Sequence, residues 1–354
     1  MIVVNTRFLT QPITGVQRYS IEITKELKRL YSKDDLILIS PHNIIHHELA
    51  QELDVQVIGN HTGHLWEQID LPIYLKKKGN PLLICLANTA PIFYKNKLST
   101  IHDVAFKVYP ETFSKIFLYS YLFIIPRILK NSKHVLTVSN FSKKEIHKYY
   151  HTNPNKISVV YNAVKDEFTN RNDSELNKTP YFLAVSSVNY RKNFLAVLKA
   201  FELFKDRVKG DYKLYVIGDL NSYSFNRIDL SSYRNNSDII FLGRVSDEEL
   251  VRYYSNAISF LYPSLYEGFG IPPLEAQACL CPVLCSTIEP LKEVLGDSAL
   301  YANPYSIDDI ADKMEMLTHI DFRNKLIQLG KENINRFSWK ASATQLMKIV
   351  DRFV

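Results

Sequence analysis

The sequence is poor in cysteine and has no long apolar segment. Its 354 residues include four cysteines, Cys85, Cys279, Cys281 and Cys285, and the last three follow a C-x-C-x3-C spacing. They surround an apolar run with no histidine nearby, so we expect reduced core thiols rather than a zinc site. No apolar run approaches the roughly 20 residues that cross a bilayer. The first residues, M-I-V-V-N, lack the charged and apolar regions of a signal peptide, so a cytoplasmic location is expected.

Acidic residues are scarce in the first half of the chain. Residues 1–165 contain 21 Lys and Arg against 12 Asp and Glu, whereas the remainder contains 22 against 25. The basic patches lack an organised motif of interleaved aromatics, so nucleic acid is a poor fit as a partner. A basic half could instead attract anionic lipid headgroups, at about 1 kcal/mol per residue near the surface. For any single patch, a solvated surface is the ordinary interpretation.

The most apolar segment, 116–125, leaves two interpretations open. It is rich in aromatic residues and too short to span a bilayer. It is either a buried core helix or a site of peripheral contact with the inner face of a membrane, through the basic N-terminal half.

The length predicts two domains, since a single hydrophobic core usually stops growing at about 250–300 residues. Strands and helices alternate throughout, which predicts parallel sheets with helices on both faces. The polar stretch 169–180 is the predicted linker. The predicted strands are 2–4, 36–39, 55–58, 82–86, 99–101 and 135–138 in the first half and 181–187, 213–217, 239–242, 258–262 and 283–285 in the second. The expected fold is α/β, with two Rossmann-like, doubly wound domains facing each other across a cleft that holds the ligand.

The best-supported helix begins near Gly15. Thr14 and Gln17 have the spacing of a capping box, and a second box is predicted at Ser246 and Glu249. The apolar stripe of the first helix is Val16, Tyr19, Ile23, Leu27 and Leu30. A strand, a loop with glycine and a helix N-terminus together offer backbone amides to an anion.

The most informative segment is S-L-Y-E-G-F-G-I-P-P-L-E, which follows an apolar strand and opens a helix with Pro273 predicted at the first helical position. Gly268 and Gly270 allow a positive φ or a close approach to a ligand. A helix N-terminus suits a phosphate. Glu267 and Glu275 cannot bind phosphate and instead suit the hydroxyl groups of a sugar or ribose. Together these features indicate a nucleotide-sugar.

Two cations follow the predicted strand 181–187. Arg191 and Lys192 lie where a parallel strand ends, and Asn193 is expected to cap the next helix. At about 4 Å and an effective dielectric of about 20, each charge pair is worth about 4 kcal/mol. The two side chains could therefore stabilise a departing diphosphate without a metal.

These segments resemble the retaining glycosyltransferases of family 4 (group 1), which have the GT-B fold. E-G-F-G-I-P-P-L-E at 267–275 is similar to the E-x7-E motif of that family. T-G-V-Q-R-Y at 14–19 resembles its first glycine turn, I-H-D at 101–103 its HD motif, and R-K-N at 191–193 its basic segment. The resemblance covers nearly the whole chain in the family's order. The chain departs from the pattern at 186–187, where it has two serines and many members have glycine followed by arginine.

The resemblance implies a role for each matching residue. The implied catalytic residues are His102, Glu267, Arg191 and Lys192. The implied donor-binding residues are Gly15, Val245, Gly268, Phe269, Gly270, Ile271 and Glu275, with the base beside Arg244 and Val245. The implied acceptor-binding residues are Arg18 and Asp103. In a retaining reaction of this kind the acceptor attacks from the face that the diphosphate leaves, and the leaving phosphate accepts the proton, so the protein mainly positions the reactants and stabilises charge.

The family pattern also implies that the two domains have different roles. Residues 1–168 would form the acceptor-binding domain and 169–336 the nucleotide-sugar-binding domain, with a C-terminal helix over 337–354 that crosses back to the first domain. Glycosyltransferases of the other common fold hold Mg²⁺ or Mn²⁺ with Asp-x-Asp, which this sequence lacks. Metal-independent catalysis with no cofactor is therefore expected.

The predicted function is transfer of a hexose, with retention, from GDP-mannose or a UDP- or dTDP-sugar to a lipid-linked or oligosaccharide acceptor. Surface polysaccharide assembly, including lipopolysaccharide, is the expected setting. One alternative is a non-catalytic nucleotide or polyanion binder, suggested by the pI of 8.8. Another is a different GT-B enzyme, such as a sugar phosphorylase or a nucleotide-sugar epimerase.

Overall fold

The computed structural model describes residues 1–171, 173, 176, 179–185, 190–218 and 230–354. The chain forms two compact units, with Met1–Ala163 and Ser338–Val354 in unit 1 and Val164–Phe337 in unit 2. Within the described residues, each unit contains one sheet in which every strand pairing is parallel. The predicted α/β class with two doubly wound sheets is confirmed.

The sheet of unit 1 has the strand order β3-β2-β1-β4-β5-β6-β7. Its strands are β1 (Ile2–Asn5), β2 (Leu36–Ser40), β3 (Gln56–Val57), β4 (Leu82–Cys85), β5 (Lys97–Thr100), β6 (His134–Thr137) and β7 (Ile157–Val159). The chain extends the sheet from β1 to β3 on one side and then adds β4 on the other side of β1. The strand order therefore reverses between β1 and β4, which is the position where doubly wound sheets commonly bind ligands.

The helices of unit 1 are α1 (Gly15–Leu30), α2 (His47–Leu53), α3 (Gly63–Leu65), α4 (Leu71–Lys77), α5 (Ala105–Val108), α6 (Lys115–Asn131), α7 (Asn140–Tyr150) and α15 (Trp339–Val350). A π-helical turn, Trp66–Asp70, joins α3 to α4. Helix α1 begins as predicted, with Thr14 and Gln17 forming the capping box. Tyr19, Ile23 and Leu27 of its apolar stripe are buried, and Val16 and Leu30 are half-buried. The Tyr19 ring packs edge-on against Trp339 of α15 with centroids 6.0 Å apart.

Helix α6 contains the apolar segment 116–125 and divides it between core and solvent. Ile125, Ile128 and Leu129 are buried, while Ile116 is 83% and Tyr119 67% exposed. The interpretation as a wholly buried core helix is therefore wrong for the N-terminal half of α6. Among the described residues, no helix combines the length and the apolar character needed to cross a membrane.

The sheet of unit 2 has the strand order β10-β9-β8-β11-β12-β13 and reverses between β8 and β11. Its strands are β8 (Tyr181–Val185), β9 (Lys213–Ile217), β10 (Ile239–Gly243), β11 (Ser259–Tyr262), β12 (Val283–Ser286) and β13 (Leu300–Ala302). Its helices are α8 (Phe194–Arg207), α9 (Ser231–Arg234), α10 (Asp247–Asn256), α11 (Ile271–Ala278), α12 (Glu289–Leu295), α13 (Ile307–Met316) and α14 (Ile320–Ile334). The predicted capping box of Ser246 and Glu249 opens α10.

Three local predictions need correction. Pro273 is not the first helical residue, because α11 begins at Ile271 and Pro273 is the third residue of the helix. Asn193 occupies the N-cap position of α8, but its side chain makes no capping hydrogen bond, and its Nδ2 donates to the Pro304 carbonyl oxygen at 2.6 Å. The short strands β7 and β13 were not predicted, since three residues are too few to show a strand pattern.

Candidate active site

A cation and a carboxylate meet at the strand reversal of unit 2. Lys192 follows β8, Glu267 follows β11, and the Lys192 Nζ donates to the Glu267 Oε1 at 2.6 Å. The same Nζ donates to the hydroxyl of Tyr262, the last residue of β11, at 2.7 Å. The backbone joins the two loops as well, because the Leu265 amide donates to the Arg191 carbonyl oxygen at 2.7 Å. Residues 75 positions apart in sequence are therefore fixed together at the carboxyl edge of the sheet.

Glu267 is a buried carboxylate that remains ionised. Burial raises the pKa of Glu267, but the Lys192 charge and hydrogen bonds from Lys192 and Tyr262 outweigh burial, so the pKa lies below its ordinary value. Burial, followed by the Glu267 charge, raises the pKa of Tyr262 well above its ordinary value. The Tyr262 hydroxyl therefore keeps its proton and donates to Glu267, while its oxygen accepts from Lys192. Tyr262, which was not singled out from the sequence, completes this group.

The loop after Glu267 turns into α11 at Gly270. Gly270 has a φ of 101°, in a region that residues other than glycine rarely adopt. A Cβ atom at this position would also lie 2.6 Å from the Leu291 Cδ2. The predicted need for glycine is therefore confirmed at this position, on conformational and steric grounds. Helix α11 begins directly after it, at the carboxyl edge that also carries Lys192, and among its first three residues only Ile271 has a backbone N–H, because Pro272 and Pro273 have none.

The other predicted donor-binding residues of this segment lie on or next to α11. Gly268 and Phe269 are buried in the loop, and the Phe269 ring packs edge-on against Phe337 with centroids 5.6 Å apart. Ile271 is the half-buried first residue of α11, and Glu275 is buried one turn further along the helix. Glu267 in the loop and Glu275 in α11 therefore lie on one continuous segment that joins β11 to the helix.

The remaining predicted residues of unit 2 lie at the same edge of the sheet. Arg191 is half-buried in the turn after β8. Arg244 is exposed and Val245 half-buried directly after β10, whose last residue, Gly243, has a φ of 73°. Because β8, β10 and β11 are parallel, their carboxyl ends share one edge. The two serines at 186–187 lie outside the described residues.

His102 lies in unit 1, just after β5. It is 6% exposed, and its ring packs edge-on against Tyr19 of α1 with centroids 4.9 Å apart. The His102 Nε2 lies 2.8 Å from the Leu86 carbonyl oxygen, which can only accept, so Nε2 carries the proton. Burial lowers the pKa of His102, and the opposing effects of Leu86 and Asp103 are smaller, so the ring is neutral at pH 7. A neutral ring with the proton on Nε2 leaves Nδ1 as an acceptor.

The other predicted residues of unit 1 lie on α1 and beside His102. Gly15 is the exposed first residue of α1, and Arg18 is half-buried one turn later. The Asp103 Oδ1 accepts a hydrogen bond from the Ala105 amide at 2.9 Å, which turns the chain into α5. The contact of Tyr19 with His102 brings the N-terminal half of α1 and the HD segment together.

The described residues contain no group of three or more His, Cys, Asp or Glu side chains arranged to hold a metal ion. All four cysteines are buried and none forms a disulfide.

Comparisons with known proteins agree with this architecture. A family model described as "Glycosyltransferase Family 4" matches residues 13–168, and one described as "Glycosyl transferases group 1" matches 166–333. The O-antigen chain mannosyltransferase RfbU of Salmonella typhimurium is 32% identical over 86% of this chain and 87% of its own length. The O-antigen chain mannosyltransferase B of Escherichia coli is 27% identical over 97% of each chain.

Solved structures with low sequence identity share the fold. Sucrose-phosphate synthase from Thermosynechococcus elongatus has a TM-score of 0.76 at 17% identity, covering 99% of this chain and 98% of its own. Anabaena Alr3699/HepE, solved in complex with UDP and glucose, has a TM-score of 0.77 at 14% identity, covering 99% of each chain. The two doubly wound sheets define a protein of the GT-B class. With both family models and a relative above 30% identity in agreement, the chain belongs to the group 1, family 4 glycosyltransferases.

Proposed function

We propose that the protein is a retaining, metal-independent hexosyltransferase that takes a nucleotide-sugar as donor and a glycan or lipid-linked glycan as acceptor. The observation that carries the proposal is the group of Lys192, Tyr262 and Glu267 at the strand reversal of unit 2, one loop away from the N-terminus of α11. A cation and the positive end of a helix dipole suit the diphosphate. An ionised carboxylate suits the hydroxyl groups of the sugar.

The roles within this site follow from its charges. Lys192 and Arg191 would bind the diphosphate, and Glu267 would accept hydrogen bonds from sugar hydroxyls. Glu275 would accept from the ribose, and the base would lie beside Val245. His102, together with Arg18 and Asp103, would serve the transferred sugar and the acceptor from unit 1. Since Lys192 already neutralises Glu267, the site is organised before any ligand binds, which lowers the reorganisation that catalysis requires.

Mannose is the sugar that we favour, because two relatives that match over most of both chains are named O-antigen chain mannosyltransferases. On this basis GDP-mannose is the first donor to test, and assembly of a surface polysaccharide is the proposed setting. Thermal-shift measurements with GDP, UDP and dTDP should give one nucleotide that stabilises the protein more than the others.

Cleavage of the bond between the nucleotide and its sugar then distinguishes a transferase from a binding protein. We expect slow release of GDP from GDP-mannose, with water as a substitute acceptor, and loss of this release in the Lys192→Met variant. A protein that binds GDP tightly but never cleaves GDP-mannose, UDP-glucose or dTDP-rhamnose would support the binding alternative. A free sugar product that retains the α configuration by NMR would support retention.

Replacing Glu275 by alanine should weaken nucleotide binding by about 1–3 kcal/mol, because the ribose would lose an ionised hydrogen-bond acceptor. Isothermal titration calorimetry with GDP, or with the nucleotide that the thermal-shift screen selects, measures the change. Glu289→Ala, at the start of the neighbouring helix α12, is the control and should bind as the wild type does. An unchanged affinity in Glu275→Ala would contradict the ribose role.

We also propose that unit 1 contacts an anionic membrane surface through α6. Ile116, Tyr119 and Phe123 are spaced by three and four residues, share one face of the helix and are 83%, 67% and 54% exposed. The Arg127 guanidinium lies over the Phe123 ring, 3.5 Å from its centroid. An exposed face with aromatic and basic side chains is typical of helices that lie in the lipid interface.

Sedimentation with lipid vesicles tests this contact. The wild type should bind vesicles containing phosphatidylglycerol more strongly than vesicles of phosphatidylcholine alone. Tyr119→Ser/Phe123→Ser should lower the bound fraction, whereas Ile320→Ser, which changes an exposed residue of unit 2, should not. Equal sedimentation of all three proteins would contradict the contact.

A further inference from the structure

A second buried ion pair lies at the strand reversal of unit 1. The Arg7 Nε lies 3.3 Å from the Glu67 Oε1, which also accepts from the Asn5 Nδ2 at 2.9 Å and the Thr89 Oγ1 at 3.1 Å. Asn5 is the last residue of β1, and Thr89 lies shortly after the end of β4. We call this group the switch-point cluster; its members are Asn5, Arg7, His64, Glu67 and Thr89. It occupies in unit 1 the topological position that Lys192 and Glu267 occupy in unit 2, where doubly wound sheets bind ligands.

The second oxygen of Glu67 has no hydrogen-bond partner among the described residues. The Nδ1 of His64 lies 3.5 Å from this oxygen. Burial raises the pKa of Glu67, which is 1% exposed, but Arg7 and His64 outweigh burial and hold the pKa below its ordinary value. An ionised, buried carboxylate oxygen is costly unless a donor faces it. The arrangement therefore requires His64 to direct its Nδ1–H toward Glu67.

The local structure fixes the direction of Glu67. It lies in the π-helical turn that joins α3 to α4. Such turns are rare in proteins, and those that occur are often found at functional sites. On one side, the Trp66 indole donates to the Ile58 carbonyl oxygen at 2.8 Å. On the other, the Gln68 amide donates to the Ala90 carbonyl oxygen at 3.1 Å, in the chain that follows β4. The turn is thus anchored on both sides of the glutamate.

The switch-point cluster adjoins the HD segment, because the His102 amide donates to the Oδ1 of Asn88, the neighbour of Thr89, at 2.8 Å. Burial raises the pKa of Tyr121 to about 12, and the charges of Arg7, Glu67 and Asp103 all act on its hydroxyl. Asp103 is the residue to which the sequence assigns an acceptor contact. The cluster and that residue therefore belong to one polar region of unit 1, on the carboxyl side of the sheet.

We propose that His64, held by Glu67, binds a hydroxyl group of a neutral acceptor sugar. Since the Glu67 carboxylate can only accept, the Nδ1 of His64 carries a proton, and the neutral tautomer of this kind has Nε2 as an acceptor. His64 is 52% exposed and can meet a ligand, whereas Glu67 is buried and acts through it as a positioning residue. A nitrogen that accepts selects a hydroxyl donor, and the carboxylate behind it disfavours a phosphate or a uronic acid. The inference rests on the proposed transferase function, because it assigns the hydroxyl to the acceptor.

Binding of simple glycosides tests the proposal in the full chain. The probes are methyl α-mannoside, methyl α-glucoside and methyl N-acetyl-β-glucosaminide, followed by saturation-transfer NMR titration. For the glycoside that binds, His64→Ala should raise the Kd about fivefold, the effect of one lost hydrogen bond. The matched control is His61→Ala, because His61 is also exposed and paired with a carboxylate, its Nδ1 lying 2.9 Å from the Asp70 Oδ1, and it should bind as the wild type does.

The positioning role of Glu67 has its own readout. Glu67→Gln should weaken glycoside binding, and His64→Ala/Glu67→Gln should bind no more weakly than His64→Ala, because Glu67 acts through His64. Additive losses would overturn the positioning role. Wild-type binding by His64→Ala, an equal loss in His61→Ala, or no binding of any of the three glycosides would overturn the proposal. Calorimetry with GDP, UDP and dTDP distinguishes failure of the His64 proposal from failure of the proposed transferase function. If the transferase function is wrong, none of the three nucleotides binds, whatever the result with the glycosides.

Discussion

Replacing Lys192 by methionine should lower kcat for sugar transfer by about 10²–10³-fold, the effect of removing one preorganised charge from the site where negative charge develops. Methionine keeps much of the length of the lysine stem and removes the ammonium group, which donates to both Glu267 and Tyr262. The rate of nucleotide release from the preferred donor at saturating concentration measures kcat. Lys199→Met, at an exposed position of α8, is the matched control and should be as active as the wild type.

The same substitution leaves Glu267 buried without its cation, so a loss of stability must be separated from a loss of catalysis. Breaking a buried pair by removing one partner typically costs about 3–5 kcal/mol. Lys192→Met/Glu267→Gln removes both charges and should recover most of the Tm that Lys192→Met loses, while kcat stays low. If the double variant recovers kcat together with Tm, or if Lys192→Met turns over at the wild-type rate, the pair is structural and the proposed mechanism is wrong.

The fold could be predicted from sequence wherever a pattern is local. The apolar stripe and capping box of α1 lie within one continuous segment, and the structure places the helix at Gly15–Leu30. The strand Lys213–Ile217 was predicted with the bounds that it has. Where tertiary contacts decide, local patterns failed. Asn193 has the composition of a cap, but its φ of 55° and its bond to Pro304, 111 residues away, result from packing that the sequence does not display.

The residues of the candidate site also fall into two groups, those that a local sequence pattern reveals and those that only tertiary structure brings together. The glycine loop and the two glutamates could be found because they lie within nine consecutive residues. Tyr262 was missed because a tyrosine that ends an apolar strand has no distinguishing pattern. Glu67 was missed for a related reason, since its partners Asn5, Arg7 and Thr89 are spread over 85 residues of sequence. The signal that could have located both ion pairs is the strand order, because each pair lies where a doubly wound sheet reverses its strand order.

Replacing His102 by glutamine should also have a large effect on kcat. The size of this effect distinguishes a catalytic histidine from a buried structural one. His102→Gln should lower kcat by about 10²-fold, at the lower end of what a positioned imidazole contributes, and leave the Kd for the nucleotide unchanged. Glutamine can keep an N–H donor for the Leu86 carbonyl oxygen, but it lacks the ring nitrogen Nδ1, which is an acceptor in the tautomer that the Leu86 contact requires. Steady-state transfer kinetics and nucleotide calorimetry measure the two quantities on the same protein.

His134→Gln is the matched control for His102→Gln, because His134 is also a buried, hydrogen-bonded histidine of unit 1, its Nε2 lying 2.8 Å from the Ser158 Oγ. If His102 is only structural, the two variants should lose Tm and activity in similar proportion. If His102 faces the transferred sugar, kcat should fall in His102→Gln alone at a Tm comparable to that of the control. Because the nucleotide contacts are proposed for unit 2 and His102 lies in unit 1, a variant that loses nucleotide affinity as much as kcat would contradict this division of roles.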